Sequence, residues 1–174
     1  MNFYITTGTY DFLEKIFNKY KDEKIILMQN AQNSLLIHET EKKSIFGAPR
    51  KYEVLDRNGE LENCGFVVFY NIPISDEGKP VFEYGYKNKK HLIENAFGNT
   101  ASRLLKPKKG DTYIIFTMWK DEKDYKRWKN TDSYKTFISE HKTENPLSSN
   151  SLFNGTPYET EYTIPNDENQ NASQ

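Results

Sequence analysis

The stretch WKNTDSYKTFISEHK, residues 128–142, carries the residues best suited to chemistry in this chain. Tyr134, Phe137, Ile138 and His141 recur at i, i+3, i+4 and i+7, which puts them on one face of a helix, with Trp128 just ahead. An indole at the front, an imidazole at the back and apolar residues between could hold a flat aromatic ligand against a sheet. The same stripe also reads as the buried face of a helix with one surface histidine. Other chemistries find less support. His38, His91 and His141 are too far apart in sequence for a compact zinc site. Cys64 just precedes an apolar run and has no evident base beside it, so it reads as structural. Neither a phosphate-cradling glycine loop, a G-x-G-x-x-G fingerprint nor an H-E-x-x-H pair occurs.

The elements that must position these residues follow one rhythm twice. NFYITTG (2–8) reads as a strand, and Leu13, Ile16, Phe17 and Tyr20 mark a helix. KIILMQ and SLLIHE, split by NAQN, form a hairpin, and KYEVLDRNGEL adds a strand ending at an Asn58-Gly59 turn. The second half restarts with the strand GFVVFYNIPIS (65–75). A helical or loop region interrupted by Gly78, Pro80 and Gly85 follows, then a hairpin of ASRLLKP and TYIIFTMWK. Two helical pieces meet at Asn130-Thr131-Asp132, where Thr131 or Asp132 can cap the second, and PYETEYTI (157–164) closes the half. Strand–helix–strand–strand–helix–strand is a ferredoxin-like order, and its open sheet face needs a cover. Residues 1–60 are expected to supply it, in an α+β pseudo-dimer with Phe66, Val68, Ile114 and Phe116, or their alternates, packed between the sheets. Along residues 113–119, Tyr113, Ile115, Thr117 and Trp119 share one face and Ile114, Phe116 and Met118 the other.

Composition narrows the partners. A formal net charge of −1 gives no field for nucleic acid or an anionic membrane. CGFVVFYN (64–71) lacks the basic and small residues of an RNA-binding aromatic strand, so no nucleic-acid partner is expected. A single cysteine excludes an internal disulfide and suits a cytoplasmic protein. The start is not patterned as a signal peptide, no run reaches membrane-spanning length, and residues 166–174 read as a disordered tail. Aromatic residues make up 14% of the chain, which suits an aromatic core or an aromatic-walled cavity.

The segments YITTGTYDFL, ILMQNAQNSLLIHET, APRKYEVLDRNGE and RLLKPKKGDTYIIFTMWKDEKDYKRWKNTDSYK resemble HmoB-type haem-degrading monooxygenases and TRAP-like proteins. Both belong to the antibiotic-biosynthesis monooxygenase (ABM) superfamily. The resemblance covers about residues 3–164 and implies a dimeric-type α+β barrel of ferredoxin-like units, here a monomer. Residues 1–60 would be the abbreviated half and 61–165 the ABM domain. The haem enzymes of this superfamily use a strand Asn over the iron-bound oxygen, a helix Trp that buckles the porphyrin, and a His ten residues later on the iron.

Trp128 matches the Trp. Ile138 stands at the His position, and His141, one turn on, would be the substitute axial ligand, since three residues turn a helix by about 300° and advance it ~4.5 Å. Tyr70 stands at the Asn position. Asn71 beside it could serve only if a bulge or slip turned it to the same face. Arg103 or Arg127 would pair with the propionates. The implied activity is oxygen- and reductant-dependent ring opening with iron release. Haem would be substrate and cofactor, alongside O2 and an external electron donor. The alternative is a non-catalytic TRAP-like stress or signalling protein, with Tyr70 and Ile138 filling the former pocket.

Overall fold

The computed structural model describes residues 1–139 and 152–166. Eight strands and five helices alternate along it: β1 (Asn2–Gly8), α1 (Tyr10–Lys19), β2 (Ile25–Gln29), β3 (Ser34–Thr40), β4 (Arg50–Asn58), β5 (Gly65–Pro73), α2 (Lys79–Lys89), α3 (His91–Glu94), β6 (Asn99–Pro107), β7 (Thr112–Trp119), α4 (Glu122–Lys129), α5 (Asp132–Ser139) and β8 (Tyr158–Ile164). The strands close into an antiparallel barrel in the order β1-β3-β2-β8-β5-β7-β6-β4. Within it, β4-β1-β3-β2 and β8-β5-β7-β6 read alike: fourth, first, third, second strand. The first set lacks a helix between its third and fourth strands, where residues 41–49 form a loop. The architecture is α+β, as expected. The expected tail, residues 166–174, lies outside the described residues except for Asn166.

Local chemistry explains the helix ends. Thr9 and Asp121 cap α1 and α4, their side chains accepting from the amides of Phe12 and Asp124. Thr131 does two things at once. Its hydroxyl donates to the Trp128 carbonyl at 2.6 Å and accepts from the Tyr134 amide at 3.3 Å. One residue thus ends α4 and starts α5. The region weakened by Gly78, Pro80 and Gly85 is helical after all. Pro80 falls in the first turn of α2, where its missing N–H has no intrahelical partner to lose.

Three cores result. The barrel interior packs Phe3, Ile5, Met28, Ile37, Val67, Phe69, Ile114, Phe116 and Met118. A second core lies between β5–β7 and α2–α5, and a third lies beneath α1 and Phe46. The register settles which of Phe66, Val68, Ile114, Phe116 and their alternates face inward. Phe66 pairs with Trp119 and Val68 with Thr117, so these two face the helices, while Ile114 and Phe116 face inward beside Val67 and Phe69. Both faces of β5 are apolar because both are covered.

An ion pair is buried inside the barrel. The Arg103 guanidinium donates from Nε to Glu39 Oε2 at 2.5 Å and from Nη2 to Oε1 at 3.2 Å. Its Nη1 donates to the carbonyls of Asn58 and Ser102. Both side chains are at most 2% exposed, and they tie β6 to β3 across the two strand sets. Breaking such a pair strands a buried charge, so Arg103→Met should cost about 3–5 kcal/mol in urea unfolding. A cost of about 0–1 kcal/mol, as for an exposed pair, would mean that water reaches the site.

Candidate functional site

The pleat sends Phe66, Tyr70, Tyr113, Ile115 and Trp119 toward the helix layer. Tyr125 and Trp128 come down from α4, three residues apart on one helix face, and Tyr134 and Phe137 come from α5. The rings meet as a continuous cluster. Trp128 lies 5.2 Å from Trp119, 5.2 Å from Tyr134 and 5.9 Å from Phe137, centroid to centroid. Phe137 in turn lies 6.0 Å from Tyr70, edge to face. Trp128 is 4% exposed and Phe137 fully buried. The indole N–H of Trp128 donates to the Leu92 carbonyl at 3.2 Å, satisfying its one polar atom.

A chain of hydroxyls runs through this layer. Tyr125 donates to Glu159 Oε2 at 2.7 Å, so the 2.9 Å contact between the Tyr70 and Tyr125 hydroxyls has Tyr70 as donor. Tyr134 donates to Glu159 Oε1 at 3.2 Å, and Lys129 Nζ stands 3.5 Å from Oε2. Glu159 is the direct cross-strand partner of Tyr70. Burial, reinforced by the Glu159 charge, raises the Tyr70 phenol far above its ordinary range. Burial also raises Tyr125, where the Tyr70 and Glu159 contacts add to it. Tyr134 is pushed up to about 12 by burial and then by Glu159. All three are neutral hydrogen-bond donors at physiological pH, holding the carboxylate in place.

The expected site residues do not come together as one constellation. Trp128, Tyr70 and Ile138 share the helix-side core, Ile138 packing at its margin. Asn71 does not join them. The β5–β7 register runs unbroken from Phe66 to Pro73, so Asn71 points into the barrel. There its amide donates to the carbonyls of Phe69 and Tyr158 and to Thr160 Oγ1. The bulge that Asn71 would need is not there. Arg103 is likewise committed inside the barrel to Glu39, which corrects its assignment to a propionate. Arg127 is largely exposed, 3.7 Å from Asp124 and stacked on Phe97. His141 lies outside the described residues.

A porphyrin held between the helix Trp and the strand position of Tyr70 would need the volume that Phe137 fills. The residues described here therefore do not fit haem in that position. An open groove of about 330 Å³ does flank Trp128, with His91, Asn95, Phe97 and Arg127 in its walls, but β5 contributes nothing to its lining. The residues that the sequence reading missed are Tyr125 and Glu159. The i, i+3 spacing of Tyr125 and Trp128 was the available signal for the first. The alternation of β8 was the signal for the second.

Residues 68–140 match the family model described as antibiotic biosynthesis monooxygenase. A heme-degrading monooxygenase of Listeria monocytogenes is 29% identical over 126 residues, 72% of this chain and 75% of that protein. Signal transduction protein TRAP of Staphylococcus aureus is 30% identical over 142 residues, 78% of this chain and 81% of that protein. The crystal structure of a heme-degrading enzyme from Listeria monocytogenes superimposes with a TM-score of 0.74 at 27% identity, covering 95% of this chain and 100% of that one.

The ring contacts set the expected cost of truncation. Trp128→Ala should lose about 3–5 kcal/mol in urea unfolding, as for a closed core. Tyr70→Phe should lose only about 1 kcal/mol, because Tyr125 keeps its bond to Glu159. A Trp128→Ala loss below about 1 kcal/mol would mean that the ring contacts of Trp128 contribute little to stability.

Proposed function

Since this chain belongs to the antibiotic biosynthesis monooxygenase family, we propose that it is a TRAP-like signalling protein that uses the scaffold without degrading haem. One observation carries the reading: Phe137, fully buried, touches both Trp128 and Tyr70 and fills the space between them. Two substitutions agree with it. Tyr70 gives its proton to a phenol that is itself bound to Glu159, and Ile138 has no lone pair for iron. Fold and chemistry are separable here, because one scaffold serves relatives named for haem degradation and for signal transduction.

Haem degradation is the second reading, and Trp128 favours it. This residue stands where the haem enzymes carry the porphyrin-bending Trp, and it borders an open groove. In that reading haem is the substrate, O2 and an external reductant are consumed, and His141 is the axial ligand.

Haemin titration separates the two. The proposal expects no saturable Soret shift for the wild type and no bleaching on adding ascorbate. Combining Tyr70→Asn, Phe137→Ala and Ile138→His should then create a haem site, visible as a new Soret band. A stoichiometric Soret band in the wild type, lost in His141→Ala and bleached by ascorbate, would establish the haem reading instead.

A further inference from the structure

The barrel has a second recess, at the end where β4 begins and β8 starts. Arg50, Asn71, Tyr158 and Thr160 form its rim, and Leu35, Phe69 and Ile114 its floor, around a volume of about 140 Å³. The floor residues belong to, or line, the barrel core, so the recess opens onto apolar surface. It lies on the opposite face of β5 from Tyr70 and Trp128, and so does not depend on what the helix side binds.

Arg50 is the feature that needs an explanation. Among the described residues, Arg103 and Arg127 each face a carboxylate, whereas none lies within ion-pair distance of Arg50 or Arg57, and of these two it is Arg50 that lines the recess. Its recorded partner is a phenol, the Tyr52 hydroxyl, 3.5 Å from Nη1. Its charge is nevertheless directed at the recess. Burial raises the phenols of Tyr52 and Tyr162, and Arg50 opposes that rise at both. Nearby, the Thr160 hydroxyl accepts from Asn71 and keeps its own proton to donate. Asn71 spends its amide protons on β5 and β8, which holds this rim in shape.

A cation with a hydroxyl donor above an apolar floor is complementary to an amphipathic anion. We propose that this recess binds a short-chain carboxylate, its oxygens on Arg50 and Thr160 and its hydrocarbon body on Leu35, Phe69 and Ile114. Guanidinium pairs with carboxylate in two parallel hydrogen bonds, which fixes the orientation. At ~30 Å³ per water the volume holds about four or five waters, room for an acid of about three to five carbons. Inorganic anions cannot cover the floor, and long-chain acids exceed the space.

The test uses the full chain with 13C-labelled methyl groups and butyrate as probe, with butyramide and inorganic phosphate as controls at matched ionic strength. Butyrate should shift the Leu35 and Ile114 methyl resonances saturably, and butyramide should bind about tenfold or more weakly because it lacks the charge. Arg50→Gln, at an exposed position, should leave the rest of the spectrum unchanged and weaken butyrate by a similar factor. Equal binding of butyramide, or undiminished butyrate binding by Arg50→Gln, would overturn the proposal. So would phosphate acting as well as butyrate, or no saturation at millimolar concentrations.

Discussion

β5 is paired without interruption along both edges, against β7 from Phe66 to Pro73 and against β8 from Gly65 to Asn71. An unbroken ladder fixes the pleat, and the pleat assigns every side chain to one of two environments. Phe66, Val68, Tyr70 and Ile72 meet the helices, and Val67, Phe69 and Asn71 meet the barrel interior. Tyr70 and Asn71 are therefore neighbours in sequence that belong to different sites. Moving Asn71 to the helix side would require a slip that inverts the whole strand and puts both of its packed faces out of register.

The aromatic layer on the helix side follows from that assignment. Once Tyr70 points outward, its hydroxyl must be satisfied in a dry layer, and Tyr125 with Glu159 satisfies it. Thr131 brings α5 back over α4 so that Phe137 reaches Tyr70 and Trp128 together. Each ring pair contributes about 0.5–1.5 kcal/mol beyond the area it buries, and the cluster shares its rings among several pairs. Trp128 is a packing residue in this layer, buried against Trp119, Tyr134 and Phe137.

Much of the fold was legible in the sequence because periodicity reports it directly. Leu13, Ile16, Phe17 and Tyr20 mark α1, and the alternation along 113–119 sorts those residues correctly onto two faces. Which face turned inward was not legible, since a strand covered on both sides is apolar on both. Nor was the Arg103–Glu39 pair, whose partners are 64 residues apart and meet only when the two strand sets close. At the candidate site, the types and spacing of Trp128, Tyr70 and Ile138 were readable. The filling of the space between them was not. Phe137 and Ile138 are adjacent and both apolar, and only the approach angle of α5 makes Phe137 the residue that bridges strand and helix.

The most direct test of this account is an aromatic nuclear Overhauser spectrum of the wild-type protein, with Phe, Tyr and Trp rings labelled, recorded before and after adding haemin. The account predicts cross-peaks from the Phe137 ring to both Trp128 and Tyr70 that persist unchanged in the presence of haemin. Absence of either cross-peak in the free protein, or loss of both as haemin binds, would contradict it.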